Sequence, residues 1–506
     1  MPVTKIVVIG AGSASFGLST LATIMRSQAL RGSTLGLVDI DRQGLEAMSA
    51  LGARMNREWD AQMTIESSTE RTDLLPGADF AILSIEVGPR EALWQQDWEI
   101  PLRHGLRQPY AENGGPAGFA HTARNIPVVL GVAQDMERLC PDAWLINFTN
   151  PVPRLCLAAT RYTWAKTVGL CHQIHMAHLI AFVVLAERWG IQVPPDVGTH
   201  PDPAKLEPMG RWIDLAYEKV AAKAVGLNHF IWIVDVRDKA SGEDLYPLFR
   251  QRYRTHRPDF EPLTRKMFEV FGLCPGSGYS HLCEYLPWGH DPQTQPWETY
   301  NLRLYDWAAG EQRRHERAEL AVAMAAGERP IDGLRQVHSE GAVELIEAMA
   351  GNANAYIPTV NIPNQGYIPN LPDGIIVEVP AVANGAGIHG LGLDPLPEAI
   401  AELCRREAAL AGLVVDAAVT GSRELALQAL LLDPMISDFG QAEGILKDYL
   451  EAYAEWLPQF HKSQVASHKS QVASHKSQVA SHKPQVASHK SQVASPKPAI
   501  DLGPEA

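Results

Sequence analysis

The sequence predicts a doubly wound α/β fold with a parallel sheet, joined to an α+β domain and followed by a disordered tail. Three observations carry this reading. Short apolar, β-branched runs alternate with helical periodicity through the first half of the chain. A glycine-rich turn follows the first of those runs. A seven-residue repeat fills the last stretch.

The runs at 5–9, 34–38, 80–85, 143–148 and 166–170 read as buried strands. Helical patterns lie between them, notably at 19–30, 122–138 and 177–189. Strands alternating with helices make βαβ units, whose sheet is covered on both faces and whose ligands sit at the carboxyl ends of the strands. The second half is more mixed. A segment at 215–225 leads into Gly226-Leu-Asn228-His229-Phe-Ile-Trp232, and a helical region is expected after it, to about 271. Further helices are expected at 307–326, 343–350, 396–431 and 442–456, around a Pro/Asn/Gly-rich extended stretch at 360–380. The expected domains are 1–190, 191–460 and a tail, 461–506. Each tail repeat, Lys-Ser-Gln-Val-Ala-Ser-His, offers only adjacent Val and Ala as apolar residues. That is no coiled-coil seam and buries too little surface to offset ordering entropy.

The 506 residues are 46% hydrophobic and 20% charged, with a formal net charge of −14. That is globular composition with an acidic balance, which argues against nucleic acid or an anionic membrane as partner. No apolar run is long enough to span a bilayer, and the N-terminus reads as a strand rather than a signal peptide. Six scattered cysteines without a Cys-x-x-Cys pair suit a reducing, cytoplasmic setting.

Several motifs carry chemistry. In Gly10-Ala-Gly12-Ser13-Ala-Ser15-Phe16-Gly17, Gly10 permits a tight turn and Gly12 lets backbone approach a pyrophosphate on a helix N-terminus. Asp39 ends the second strand, where a ribose-binding carboxylate belongs, and favours NAD over NADP. The bland alternative is a glycine turn with a surface Asp. Asn147-Phe-Thr-Asn150-Pro151 closes a strand, and Asn150 is a ligand-binding amide or an Asx-turn. In Gly169-Leu-Cys171-His172-Gln173, Cys171 is a soft ligand or a buried thiol, and His172 can shuttle protons. His172, His175 and His178 drift around a helix, which disfavours a zinc site. His229 is a satisfied core histidine or a ligand. The stretch Gly278-Tyr279-Ser-His281-Leu-Cys-Glu284-Tyr285-Leu-Pro-Trp288 clusters polar groups in a turn-rich loop. Glu112 sits in the glycine loop 112–118, and Asn361-Ile-Pro-Asn364-Gln-Gly366 precedes Val377-Glu378-Val379.

Taken in this order, the motifs resemble glycoside hydrolase family 4 from about residue 4 to about 460. The resemblance implies a lactate/malate dehydrogenase-like fold and a glycosidase using NAD and a divalent metal, usually Mn2+, outside the two-carboxylate scheme. It implies that NAD removes hydride from C3 of the sugar. A base then takes the acidified C2 proton, the C1–O bond breaks by elimination, water adds, and the ketone is reduced back. It assigns Gly10, Gly12, Ser13, Phe16 and Asp39 to the cofactor and Cys171 and His229 to the metal. His172 goes to leaving-group protonation, and Glu112, Asn150 and Asn228 to substrate or cofactor. Cys-His resembles the members acting on unphosphorylated glycosides or glycuronides. Several relatives with this signature carry Gly-Asp where Gly278-Tyr279 stands. Tyr279 is therefore the expected base, with His281 the alternative. The resemblance also implies a homodimer or homotetramer.

Two rivals remain. A 2-hydroxyacid dehydrogenase shares the glycine turn and the Asn-Pro strand end, but its His-Asp relay and carboxylate-binding arginines differ from a thiol–imidazole pair. A non-catalytic NAD-binding protein would explain the lost Gly-Asp, but not Cys171, His172 and His229 together.

Overall fold

A computed structural model describes residues 3–13, 17–195, 197, 207–337 and 341–461. Met1–Lys462 form one compact unit. The disorder expected for the repeat tail concerns 462–506, outside the described residues.

Among the described residues twelve strands make one sheet. In chain order they are β1 (Lys5–Ile9), β2 (Thr34–Val38), β3 (Thr64–Ser68), β4 (Phe80–Leu83), β5 (Trp144–Asn147), β6 (Lys166–Gly169), β7 (Val220–Leu227), β8 (Phe230–Asp238), β9 (Cys274–Pro275), β10 (Ala355–Pro363), β11 (Ile376–Asn384) and β12 (Gly387–Gly390). The first six are parallel and ordered 3-2-1-4-5-6. This order reverses between β1 and β4, so ligands are expected at the carboxyl ends there. Burial on both faces explains the unbroken apolar runs. Ile6 and Val8 join one core cluster, while Val7 and Ile9 join the cluster on the opposite face.

The sheet then continues antiparallel through β10, β11, β7, β8 and β9, with β12 on β11. Its two junctions are each a single residue pair: Asn361 on β10 against Gly169 on β6, and Glu378 on β11 against Gly226 on β7.

Two expectations are corrected. The segment after Trp232 opens not as helix but as the rest of β8, because the strand pairs with β7 from Phe230 to Ile233 and again, past a bulge at Val234, from Asp235 to Asp238; helices Tyr246–Thr255 and Pro262–Phe271 follow it. The helix expected over 396–431 is two helices, Glu398–Thr420 and Arg423–Leu432. Gly421 (φ +69°) ends the first, and a Cβ there would collide with the Gln459 carbonyl. Ser422 caps the second by accepting from the Leu425 N–H. No helix among the described residues is long and apolar enough to cross a membrane.

Candidate active site

The site lies where the parallel strands end. Gly10 leaves β1 at φ +91°, and a Cβ there would collide with the carbonyl oxygen of Ser84 just beyond β4. Only glycine fits that turn. Gly12 donates its N–H to Asp39 Oδ2 at 2.7 Å, and Asp41 donates to Oδ1 at 2.9 Å. Asp39 thus braces the glycine turn against the end of β2. Ser13 leads into helix Gly17–Arg26, its carbonyl accepting from the Gly17 N–H at 2.8 Å. Phe16 lies outside the described residues.

Cys171 follows β6, and His229 sits in the turn between β7 and β8. Leu227 pairs with Phe230, so Asn228 and His229 form a two-residue hairpin loop. Such loops demand left-handed backbone, and His229 supplies it at φ +63°. Gln173 Oε1 accepts from the His229 N–H at 2.6 Å, tying the hairpin to the Cys171 loop. The result brings Cys171 Sγ to 3.4 Å from His229 Nε2, both residues buried. Burial, then His281 and His172, hold the His229 imidazole well below its ordinary pKa, so the ring is neutral. Its Nδ1 has no hydrogen-bond partner among the described residues.

Asn228 is held from behind. Its Nδ2 donates to Glu378 Oε2 at 2.6 Å. Thr359 Oγ1 donates to Glu378 Oε1 at 2.8 Å, and Asn361 Nδ2 to Oε2 at 3.4 Å. Glu378 is fully buried, and burial raises its pKa. Asn228 Oδ1, Asn361 Oδ1 and Gln173 Nε2 have no partner among the described residues.

The glycine loop forms the other wall. Glu112 Oε1 accepts from Arg90 Nη2 at 2.8 Å and from Asn150 Nδ2 at 3.4 Å; its Oε2 accepts from Asn113 Nδ2 at 3.2 Å. Against its burial, Arg90, His281 and His121 hold Glu112 below the usual carboxylate range. His121 Nδ1 meets the Glu112 carbonyl at 2.8 Å, and its Nε2 meets Glu86 at 3.2 Å. Against burial, His121, Arg90 and Arg124 bring Glu86 to about 2, and Glu86 in turn raises His121. The buried Glu284 closes this wall. Its Oε2 accepts the N–H groups of Glu112 (3.2 Å), Asn113 and Gly114 (2.7 Å), and its Oε1 lies 3.0 Å from His281 Nδ1. The His281 ring stacks on His229, centroids 3.9 Å apart.

Cys171, His229, Asn228, Asn150 and Glu112 therefore share one connected site. His172 is exposed beside Cys171. Tyr279 falls in the short helix Gly278–Leu282, and its side chain lies outside the described residues. The other two histidines of that run are spoken for. His178 meets the Ile174 carbonyl through Nδ1 and accepts the Ala222 N–H through Nε2, while His175 pairs with Tyr217 Oη at 2.8 Å. Glu86, Arg90 and His121 drew no site role from the sequence, whereas Gln173, Glu284 and Glu378 stood inside its motifs without an assigned role. For Glu378 the signal was present: a lone acid inside an apolar strand must be buried and satisfied.

Among the described residues no group of three or more His, Cys, Asp or Glu side chains is arranged to hold a metal ion. Cys171 and His229 nonetheless fit a shared ion whose remaining positions go to substrate or water. A thiolate and an imidazole sharing one ion, at bonds of about 2.3 and 2.1 Å, stand roughly 3.1 Å apart in octahedral and roughly 3.6 Å apart in tetrahedral coordination. The observed separation is 3.4 Å, and the imidazole is neutral as a ligand must be.

Comparison with known proteins decides the family. The description "Family 4 glycosyl hydrolase" matches residues 5–185, and its C-terminal domain matches 224–436. An alpha-glucosidase of Erwinia rhapontici is 31% identical over 471 residues, covering 85% of this chain and 93% of its own. The chain belongs to glycosyl hydrolase family 4. An alpha-galactosidase of Bacillus subtilis is 29% identical, covering 90% of this family 4 chain and 99% of its own. Among solved structures, Bacillus subtilis lplD superposes with a TM-score of 0.76 at 25% identity, covering 88% of this chain and all of that one. The Thermotoga maritima 6-phospho-beta glucosidase, solved with manganese, NAD+ and glucose-6-phosphate, gives 0.72 at 22% identity, covering 90% and 99%; it shares the fold.

Proposed function

We propose that this family 4 glycosidase hydrolyses unphosphorylated glycosides or glycuronides, α-glucosides first among them, by an NAD- and metal-assisted elimination. The carrying observation is the Cys171–His229 pair, 3.4 Å apart and buried at the carboxyl end of β6. A hydrolase acting through two carboxylates has no use for such a pair. The α-glucoside preference is supported by the 31% identity to an alpha-glucosidase. When bound, NAD would take and return a hydride at C3 of the sugar, and Mn2+ would polarise the oxygens on C2 and C3.

The chain's own residues do the rest. The turn from Gly10 to Ser13, braced by Asp39, holds the dinucleotide. Cys171 and His229 hold the ion. Tyr279 takes the C2 proton, and the exposed His172 gives a proton to the leaving oxygen. Asn150, Asn228 and Glu112 orient the sugar: the unpartnered Oδ1 atoms of both asparagines can accept from its hydroxyls. The six free, buried thiols suit the cytoplasm, where we place the enzyme.

The test is product release from a panel of nitrophenyl α- and β-glycosides and glycuronides with NAD+, Mn2+ and a thiol reductant, each omitted in turn. The proposal requires cleavage that depends on all three and accumulates no NADH. Steady NADH formation without cleavage would overturn it in favour of a dehydrogenase.

A further inference from the structure

Glu284 occupies a position that the proposed chemistry does not use. It is 1% exposed, yet its carboxylate lies 3.0 Å or less from two separate parts of the site. One oxygen gathers three successive backbone N–H groups of the glycine loop, from Glu112, Asn113 and Gly114. The other meets His281 Nδ1. The loop carries Glu112, which is bonded to Arg90 and Asn150. His281 stacks on His229, which faces Cys171. No other carboxylate among the described residues touches both the loop backbone and this ring pair.

We propose that Glu284 is a positioning residue: it registers the substrate wall against the metal pair and fixes the tautomer of His281. A carboxylate only accepts, so Nδ1 of His281 must carry a hydrogen, and in the neutral ring the lone pair is then on Nε2. The same carboxylate cannot move toward the ring without releasing the loop. A shift of either wall is therefore transmitted to the other. Three N–H donors converging on one oxygen also fix the peptide planes on either side of Asn113. That orients the Glu112 side chain toward Asn150 and the sugar. This inference rests on the site assignment made above, but its test does not depend on turnover alone.

Glu284→Gln separates the two duties. The amide oxygen can still accept the three loop N–H groups, but the amide nitrogen donates toward His281. The ring must then carry its hydrogen on Nε2. The experiment uses the full-length chain, wild type and E284Q, with His281→Asn as the second variant. Four readouts are taken: kcat and KM on the nitrophenyl glycoside that wild type cleaves, Mn2+ affinity by electron paramagnetic resonance, 15N shifts of labelled histidine, and hydrogen exchange of 112–114. For E284Q we expect a 15N pattern with the one ring missing in H281N inverted, and kcat lowered at least 30-fold with KM within threefold. Mn2+ binding should weaken about tenfold, as loss of a ligand's supporting contact does, with 112–114 still protected. E284Q with an unchanged tautomer, or with an inverted one and kcat and Mn2+ affinity within threefold of wild type, would overturn the proposal. If E284Q does not fold, H281N decides: it leaves the loop bonds intact and must reproduce the loss of kcat and of Mn2+ affinity. If wild type cleaves no glycoside, the proposed function fails on its own, and the tautomer, exchange and Mn2+ readouts still judge Glu284.

Discussion

Removing the carboxylate behind Asn228 should cost both stability and metal affinity. Glu378 is fully buried and accepts from three side chains: Asn228, Thr359 and Asn361. In Glu378→Ala the Thr359 hydroxyl can rotate to another acceptor, because its hydrogen is mobile. The two carboxamides cannot. Asn228 is locked in a two-residue hairpin loop, and the donor atom of Asn361 is left with only a 3.5 Å contact to the Gly169 carbonyl. A buried donor left unsatisfied costs about 1–3 kcal/mol, so two of them cost roughly 2–6 kcal/mol. The burial penalty of the carboxylate itself is relieved at the same time, which places the net loss at roughly 2–3 kcal/mol. Loosening Asn228 also frees the left-handed backbone of its neighbour His229, so Mn2+ affinity should drop with it. The assay is urea denaturation of metal-free wild type and E378A at pH 6, paired with Mn2+ titration. A loss below about 1 kcal/mol with unchanged Mn2+ binding would refute the reasoning, since it would mean that neither amide was held by that carboxylate.

Other outcomes follow from the same geometry. Cys171→Ser keeps size but replaces a soft ligand with a hard hydroxyl; kcat/KM should fall on the order of 100-fold or more, with NAD+ binding by fluorescence unchanged. Gly10→Ala adds a Cβ that collides with the Ser84 carbonyl at a φ of +91°. It should cost more than about 1 kcal/mol in thermal unfolding and weaken NAD+ binding at least tenfold. Burial, reinforced by Asp433, pushes Glu407 up to about 8. Its folded pKa is above its unfolded one, so its contribution is fully present below the unfolded pKa of 4.5 and is lost as pH rises toward 8. Glu407→Gln should therefore be nearly neutral at pH 4.5 and stabilising by roughly 2–3 kcal/mol at pH 7 in denaturant titrations; a difference that does not change with pH would contradict the raised value.

The parallel half was legible because its determinants are local. A strand buried on both faces must be an unbroken apolar run, and a glycine turn at its end must carry Gly10 and Gly12. The runs at 5–9 and 34–38 coincide with β1 and β2. The strand Thr64–Ser68 escaped notice because it is the sheet edge: its residues are exposed or half-buried and read as a polar segment. The stretch after Trp232 was taken as the start of a helical region, whereas it continues the strand Phe230–Asp238, whose first four residues are all buried. Continuous burial removes the alternation that marks a strand.

The pairing of Cys171 with His229, proposed above to hold the metal, was legible only through resemblance, and the fold explains why. Cys171 closes the last parallel strand, whereas His229 sits in a hairpin of the antiparallel half, 58 residues later. Their meeting depends on β10 and β11 being inserted between β6 and β7, and those strands come from a third stretch of chain. The junctions that set the distance are single pairs, Gly169 with Asn361 and Gly226 with Glu378. Both partners on the inserted strands are polar, and both reach back to the Asn228–His229 turn through Glu378. One glycine at each junction is no coincidence of composition. A Cβ at Gly169 would press on Cys156 Sγ and the Asn361 Cβ, and one at Gly226 would press on the Phe230 carbonyl. The sheet can bring a thiol and an imidazole together only where backbone approaches backbone this closely. The residues that permit the approach, two glycines and two buried polar side chains, have no helical or strand periodicity by which a sequence could announce them.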